Sequence, residues 1–190
     1  MRKIVAFAGK AGSGKDYRCQ QLVNTQGYKK IAFADALRKI AFATMGYTYD
    51  YALEHYDELK KTALTTNGLT MRNIMENLGT EGIRKYDNDF WVRCMIKEIQ
   101  ATPEDTNICI SDLRFYNEYE GLSKFCEDND YKFKLIFCDF HSARYENYNP
   151  HASARLAQFL YDLGYRDGEE VKGEVMQAYI QSMREIPTKV

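Results

Sequence analysis

The chain has 190 residues and a formal net charge of −1 at pH 7, with 45% hydrophobic and 28% charged residues. This length and composition are ordinary for one globular domain with a full apolar core. Because the net charge is close to zero, the basic field that drives tight non-specific nucleic-acid binding is missing, and a small molecule is the better expected partner. No apolar run reaches the roughly 18 residues that a membrane-spanning helix needs, so no membrane partner is expected.

Cysteine usage and the first residues predict the compartment. The five cysteines are odd in number, widely spaced and form no Cys-x-x-Cys pair, so no zinc site is indicated. They are Cys19, Cys94, Cys109, Cys126 and Cys138. Several lie in apolar runs, which favours buried, reduced thiols and a cytoplasmic protein. The apolar run at 4–8 is too short for the hydrophobic region of a signal peptide.

The chain opens with a buried strand predicted over 3–8, a glycine-rich loop and a helix over 14–25. The loop reads Gly9-Lys10-Ala11-Gly12-Ser13-Gly14-Lys15-Asp16. Its Gly-x-x-x-x-Gly-Lys spacing is typical of a phosphate-binding loop, whose backbone N–H groups point at a polyphosphate and whose glycines let the backbone approach closely. Lys15 then places a positive charge on the β and γ phosphate oxygens, and the helix N-terminus adds its dipole. Asp16 stands where a Ser or Thr usually provides a magnesium ligand.

The elements predicted after the loop alternate between strands and helices. They are a strand over 28–33, a helix over 35–45, a helix that begins after the cap Thr70, a helix over 89–100, a strand over 107–111, a helix over 115–128, a strand over 132–138 and a terminal helix over 169–185. Residues 156–165 fit either a helix or a fifth strand. This alternation predicts an α/β fold with a parallel sheet and right-handed crossovers, in which ligands bind at the carboxyl ends of the strands.

Four charged side chains are expected near this ligand edge, and each has a plainer alternative. Asp112 follows the third predicted strand, where it holds magnesium or orients an acceptor, or else caps the next helix. Arg114 suits an acceptor phosphate through its planar guanidinium, or forms a surface ion pair. Arg72 follows a predicted helix cap, where its guanidinium and the helix N-terminus bind the same anion, or else the side chain is solvated. Arg144 lies in the segment 139–155, which is a loop that closes over the transferred group or a charged surface loop.

Further motifs accompany these residues in a fixed order. The segments are Gly9-x-x-x-Ser13-Gly14-Lys15-Asp16, Phe33-Ala34-Asp35-Ala36-Leu37-Arg38, Thr70-Met71-Arg72, Leu78-Gly79-Thr80-Glu81, Arg84, Trp91, Ser111-Asp112-Leu113-Arg114-Phe115-x-Asn117-Glu118 and His151-x-Ser153. In order and spacing, over most of the chain to about residue 154, they resemble the deoxynucleoside monophosphate kinases of bacteriophages, within the P-loop nucleoside-monophosphate kinase fold. In that family Asp follows the loop lysine, so Asp16 matches its form.

The resemblance implies a single P-loop kinase domain over 1–190, with three α/β/α layers and a five-stranded parallel sheet, or a four-stranded one. The core would be 1–46 and 104–190, with an acceptor-binding helical insertion over about 47–103 and a short lid over about 139–155. The resemblance also implies ATP and Mg²⁺ as cofactors, a deoxynucleoside monophosphate as the substrate and a homodimer as a possible assembly. For a phage-encoded enzyme the compartment would be the cytoplasm of the host cell.

The same resemblance assigns roles residue by residue. ATP would be bound by Gly9, Gly12, Ser13, Gly14, Lys15, Asp16 and Tyr17. The acceptor would be bound by Asp35, Arg72, Glu81, Arg84, Trp91 and Arg114. Magnesium would lie near Asp16, through water, and near Asp112. The catalytic group would be Lys15, Arg72, Asp112, Arg114 and Arg144, acting by positioning and charge neutralisation, because an ionised acceptor phosphate needs no strong general base.

Three positions depart from the family pattern. Tyr17 replaces the Thr that follows the Lys-Asp pair, and Ala154 ends the late motif in place of Glu. Asp167-Gly168 is the candidate for the Asn-x-Gly element on the adenine side, so the adenine pocket stays unassigned. The first two departures motivate an alternative, a nucleotide-binding module that does not catalyse. The other alternative is a related kinase that acts on a modified base in DNA.

Overall fold

The computed structural model describes residues 1–139 and 154–185, and in this part of the chain four strands form one parallel sheet. The strands are β1 Lys3–Ala8, β2 Lys29–Ile31, β3 Ile108–Ile110 and β4 Lys132–Phe137, in the order β2-β3-β1-β4. β1 is therefore an inner strand, with Ala6 opposite Ile110 of β3 and Phe7 opposite Ile136 of β4. The predicted α/β class with a parallel sheet is confirmed, and the arrangement is compatible with three α/β/α layers.

Helices make up most of the remaining described chain. They are α1 Lys15–Gln26, α2 Phe33–Thr44, α3 Tyr49–Glu54, α4 Tyr56–Leu59, α5 Met71–Glu76, the π-helix Asn77–Ile83, α6 Arg84–Tyr86, α7 Phe90–Gln100, α8 Tyr116–Asp128, α9 Arg155–Asp162 and α10 Gly173–Glu185. α1 ends at Gly27, whose left-handed φ of 67° lets its N–H donate to the Val23 carbonyl at 3.2 Å and close the last turn. Within the described residues, the helices are too short or too polar to cross a membrane.

The predicted fifth strand is not found among the described residues, so the four-stranded form of the prediction holds there. The segment that fitted either element, 156–165, lies mostly in helix α9. Residues 168–171 lie antiparallel along the edge of β4, where the Val171 N–H donates to the Leu135 carbonyl at 2.8 Å. Because these residues bond to the strand edge, the terminal helix begins at Gly173 and not at 169.

The chain divides into two compact units, residues 1–32 with 96–190, and residues 33–95. The first unit contains the sheet. A cluster of buried side chains packs between its sheet and α1: Phe7, Cys19, Tyr28, Cys109 and Cys138. The described cysteines are free thiols, and burial raises the pKa of Cys138 to about 12. The second unit has its own core, made by Ala41, Phe42, Ala52, Leu59, Met71 and Met75.

Arg2 anchors the start of the inner strand. Its side chain is 5% exposed, and its guanidinium donates at 2.9–3.1 Å to the backbone carbonyls of Ile99, Thr102, Pro103 and Thr106. These carbonyls lie at and after the end of α7, where helix carbonyls lack partners within the helix. One buried cation thus satisfies a helix terminus and fixes the strand that leads to the glycine-rich loop.

Candidate functional site

The glycine-rich loop at 9–14 joins the carboxyl end of β1 to the N-terminus of α1. Gly12 and Gly14 adopt left-handed conformations, with φ of 74° and 88°, which side chains other than glycine rarely adopt. Gly9 is required for a different reason, because a Cβ atom there would lie 2.4 Å from the Cys138 carbonyl oxygen and 2.3 Å from Ser13 Oγ. Sterics therefore explain all three glycines of the predicted motif.

Lys15 folds back along this loop. Its Nζ donates to the Gly9 carbonyl at 2.8 Å and to the Lys10 carbonyl at 2.6 Å, and it lies 3.4 Å from Ser13 Oγ. The residue is only 6% exposed. Burial lowers its pKa to about 8, and the positive charge of Arg114 adds to the shift. The loop therefore holds a buried ammonium that carries its proton near neutral pH.

Asp16 begins α1 next to the lysine and is paired with Lys30, whose Nζ lies 2.6 Å from Asp16 Oδ1. Partial desolvation raises the pKa of the Asp16 carboxyl, but the hydrogen bond and charge of Lys30 and the charge of Lys15 outweigh it. The pKa therefore lies below its usual value, and the carboxylate stays ionised. Tyr17, the next residue, is 63% exposed on the first turn of the helix.

The end of β3 carries the other predicted residues of this edge. Asp112 is half-buried and Arg114 is exposed, two and four residues after the strand. Glu118, which is 2% exposed, accepts the Arg114 N–H at 2.8 Å and the Phe115 N–H at 3.1 Å, and so fixes the turn into α8. Both Asp112 and Arg114 lie close enough to Lys15 to change its pKa. The structure thus brings the ends of β1 and β3 together, as their parallel pairing requires.

In the second unit, the predicted acceptor residues differ in exposure: Arg72 and Glu81 are exposed, and Asp35 and Arg84 are half-buried. As predicted, Thr70 caps α5, and Arg72 is exposed in its first turn. The cap is a reciprocal pair with Asn73. Asp35 forms an ion pair of 2.7 Å with Arg38. The acceptor roles of Asp35 and Arg72 therefore stay predictions.

Trp91 is the buried member of the acceptor set. It is 3% exposed, and its indole N–H donates to the Gly79 carbonyl at 3.2 Å, inside the π-helix 77–83. The π-helix itself was not predicted, although such segments are frequent at functional sites. Glu81 is exposed on it and lies 3.5 Å from Lys85 Nζ, and Arg84 donates to the Asn88 carbonyl at 3.4 Å.

Arg144 and His151 lie outside the described residues, as does nearly all of the predicted lid over 139–155. Its two described ends are Asp139, after β4, and 154–155, where the buried Ala154 precedes the first residue of α9. In the described residues, no group of three or more His, Cys, Asp or Glu side chains is placed to hold a metal ion.

A cavity of about 530 Å³ lies beside α1 in the first unit, and sequence reasoning missed it. We call it the α1 cavity. It is lined by Val5, Phe7, Gly14, Tyr17, Arg18, Gln21, Leu22, Lys134, Ile136 and Gly168. In the sequence, the strand residues of this lining stand at alternate positions, Val5 and Phe7 in β1 and Lys134 and Ile136 in β4, so each pair lies on one face of its strand. The observed register places the two pairs side by side on the same face of the sheet.

Two residues that line the α1 cavity, Arg18 and Lys134, form ion pairs with residues of the 167–171 segment. Arg18 pairs with Asp167 at 2.6 Å, and Asp167 also accepts the Asp139 N–H at 2.9 Å. Lys134 of the cavity lining forms an ion pair with Glu170. These contacts tie the 167–171 segment to α1 and to β4.

Comparisons with known proteins show no family for the chain, and they include a distant sequence relative. No protein-family model matches the chain. The chain is 29% identical over 121 residues to a curated protein named uncharacterized protein ORF77, from Ictalurid herpesvirus 1 (strain Auburn). The match covers 63% of this chain and 45% of that protein, so the chain spans less than half the length of its relative.

Proposed function

We propose that this chain is a cytoplasmic ATP- and magnesium-dependent kinase that converts deoxynucleoside 5′-monophosphates to diphosphates. The observation that carries the proposal is the loop at 9–14. It leaves the inner strand β1, turns through two left-handed glycines and delivers the buried Lys15 at the first position of α1. Such a loop supports a polyphosphate site because backbone N–H groups, a helix N-terminus and an ammonium surround the same space.

Lys15 would change partners when ATP binds. Its ammonium donates to the Gly9 and Lys10 carbonyls, which are neutral acceptors. Phosphate oxygens are anionic and form stronger hydrogen bonds, so they would take the place of these carbonyls. Because the ammonium is buried, solvent screens its charge little, and the charge stabilises the transferring phosphoryl group.

In the proposed reaction, a phosphate oxygen of the monophosphate attacks the γ-phosphorus of ATP in line with the departing ADP. The new bond joins that oxygen to the γ-phosphorus, and the bond to the bridging oxygen breaks with its electron pair remaining on ADP. The candidates for binding the acceptor phosphate through a guanidinium are Arg72, Arg114 and, in an assisting role, Arg84. The nucleoside of the acceptor monophosphate would contact Asp35, Glu81 and Trp91.

Two carboxylates of the loop edge suit a magnesium ion. Asp112 is half-buried after β3, and Asp16 is ionised but held by Lys30, so it would act through a water molecule. Protein sites for magnesium typically use one or two carboxylates and leave the other positions to phosphate oxygens and water, so this set fits. When bound, the ion supplies neutralising charge on the β and γ phosphates.

The proposal is tested by ADP release in a coupled assay, over a panel of natural and modified deoxynucleoside monophosphates. We expect turnover on at least one monophosphate, and none above background with the Lys15→Ala protein. Tight ATP binding without turnover over the whole panel would instead support a nucleotide-binding module. Transfer of label from ATP to duplex DNA, and not to monophosphates, would identify a kinase of a modified base.

A further inference from the structure

We infer that Cys19 and Cys109 are a site of oxidation, at which hydrogen peroxide forms a disulfide that slows the proposed kinase. Cys19 lies on α1, one turn after Lys15, and Cys109 is the central residue of β3, the strand that precedes Asp112. The pair therefore joins the two elements that carry the loop-edge residues. Formation of the disulfide depends on the two thiols alone, whereas its effect on turnover rests on the proposed function.

The two cysteines are in direct contact. The Cys109 thiol donates to the Cys19 carbonyl oxygen at 3.6 Å, and a second hydrogen bond joins the two side chains. Both residues are 0% exposed and belong to the cluster between the sheet and α1. In a disulfide the two sulfurs are about 2.0 Å apart. Since the thiols already share a hydrogen bond, a small movement of α1 brings them together.

The contact gives the two thiols different reactivity. The Cys19 thiol donates to the Cys109 sulfur, which lowers the pKa of Cys109 and raises that of Cys19, although burial alone would raise both. The charge of Lys30 also lowers the pKa of Cys109. Because the thiolate is the form that reacts with peroxide, Cys109 is the nucleophile and Cys19 is the thiol that completes the disulfide.

The α1 cavity gives a small oxidant a route toward this pair. Val5 stands opposite Cys109 in the register of β1 and β3, so both side chains lie on the same face of the sheet. Four apolar residues line the cavity and also form or contact the cluster that contains the thiols: Val5, Phe7, Leu22 and Ile136. Local opening of α1 against this apolar wall lets a molecule the size of hydrogen peroxide pass.

The oxidation balances with one molecule of hydrogen peroxide. The Cys109 thiolate attacks a peroxide oxygen, the O–O bond breaks, and hydroxide leaves with the electron pair, so that a sulfenic acid forms. The Cys19 sulfur then attacks the Cys109 sulfur, and the S–O bond breaks. The two hydroxides that leave take up the two thiol protons. Two thiols and one peroxide thus give one disulfide and two molecules of water.

The disulfide would displace the lysine of the phosphate loop. Lys15 and Cys19 lie on the same face of α1, because residues four apart on a helix are neighbours. Drawing the sulfurs from hydrogen-bond contact to about 2.0 Å pulls this face toward β3. A displacement of about 1 Å at a reacting group lowers rates by as much as about 100-fold. We therefore expect the oxidised protein to turn over about 10- to 100-fold more slowly.

The test treats the reduced full chain with hydrogen peroxide, unfolds it and labels the remaining thiols with N-ethylmaleimide. The chain has five cysteines, so the reduced protein takes five labels and the disulfide form takes three. A peptide map should join residues 19 and 109. ADP release should fall about 10- to 100-fold after peroxide, and dithiothreitol should restore both the labels and the turnover.

Two variants separate this pair from general oxidation. Cys109→Ala should form no disulfide and should keep its turnover after peroxide. Cys126→Ala removes a thiol of α8 that is 1% exposed, and whose pKa burial raises to about 12, so this variant should respond to peroxide as the wild type does. Circular dichroism checks the fold of each variant, and Cys19→Ala replaces Cys109→Ala if the latter does not fold.

Five labels after peroxide, or a disulfide between other cysteines, overturns the inference whatever the activity. A 19–109 disulfide with unchanged turnover overturns its effect on the site. If the reduced protein turns over no monophosphate, the proposed function fails, and the peptide map still decides whether the two thiols are a site of oxidation.

Discussion

The two compact units differ in how they hold charged residues. At the loop edge of the first unit, two charged groups are buried and bonded to the protein itself: Lys15 to loop carbonyls, and Glu118 to backbone N–H groups, although Asp16 and Arg114 beside them are exposed. In residues 33–95, the charged candidates lie at helix surfaces. Among the described residues, Arg72 has no hydrogen-bond or ion-pair partner, and Glu81 has only a long contact with Lys85.

The loop edge of the first unit is therefore preorganised, whereas the exposed side chains of 33–95 would have to be ordered by a ligand. Fixed dipoles and charges in a buried region stabilise developing charge without reorganisation, whereas an exposed arginine loses side-chain entropy when it binds. We therefore expect substitutions at the loop edge to affect rate or stability strongly. Substitutions of the exposed charges in 33–95 should affect only the use of the acceptor.

The largest effect is expected from Lys15→Ala. The change removes the buried ammonium that would neutralise the transferring phosphoryl group, so transfer should fall by about 10³-fold or more. The fold should survive, because the substitution also removes the cost of burying a charge. ADP release and circular dichroism check the two parts. Lys124→Ala, an exposed lysine of α8, serves as the control and should retain full activity. A Lys15→Ala protein with wild-type turnover contradicts the proposed site.

Arg2→Ala should have the next largest effect, on stability. It leaves four backbone carbonyls near the end of α7 without their buried donor, and we expect a loss of about 3 kcal/mol in the free energy of unfolding. Urea denaturation measures it. Arg2→Lys keeps the charge but offers one compact donor group for four acceptors, so it should recover only part of the loss. If both variants unfold at the wild-type urea concentration, Arg2 does not anchor the inner strand.

Arg72→Ala should act on the acceptor alone. Loss of a charged hydrogen bond to phosphate corresponds to about a 10- to 100-fold rise in the KM for the monophosphate, and the KM for ATP should stay near that of the wild type. Stability should change little because the side chain is exposed. Arg93→Ala, an exposed arginine of the same unit that pairs with Asp87, is the matched control. An unchanged monophosphate KM and kcat in Arg72→Ala would falsify the assignment of the acceptor phosphate.

The sequence predicted the features that depend on near neighbours. The strand, the three glycines and the lysine of the loop follow from local spacing, and so does the Thr70 cap, although its partner Asn73 was not predicted. The parallel α/β sheet followed from the alternation of elements, but the prediction of five strands, with four as the alternative, did not decide their number. The sequence did not decide between a helix and a fifth strand for 156–165, because its pattern suits both element types. In the folded chain, most of this segment is helix α9.

Features that depend on distant partners were beyond the sequence. The spacing of Met71, Ile74, Met75 and Leu78 fits one regular helix, yet the chain changes to a π-helix at Asn77, where the indole of Trp91 reaches the Gly79 carbonyl. The pairing of Asp16 with Lys30 joins two different elements. The α1 cavity combines residues from Val5 to Gly168, whose proximity only the folded sheet creates.

The smallest effect is a proton linkage at Lys15. Its pKa of about 8 lies below the ordinary 10.5, because burial disfavours the charged form. On this group alone, stability rises as the pH increases from about 8 to 10.5, since the unfolded chain binds the proton more tightly there. A polyphosphate favours the ammonium and raises the pKa again. ATP binding should therefore take up almost no proton through Lys15 at pH 6.5 and about half a proton near pH 8.

Calorimetry in buffers of different ionisation enthalpy measures this uptake. Inorganic tripolyphosphate, which has the phosphates of ATP and lacks its nucleoside, should cause the same proton uptake, because the linkage belongs to the phosphate loop. Lys15→Arg should abolish it, since an arginine keeps its charge at every pH in the range. An uptake that persists in Lys15→Arg would come from another group. The phosphates would then not bind at the Lys15 ammonium. The first unit would lose its main evidence for a preorganised, buried charge, and with it the contrast with residues 33–95.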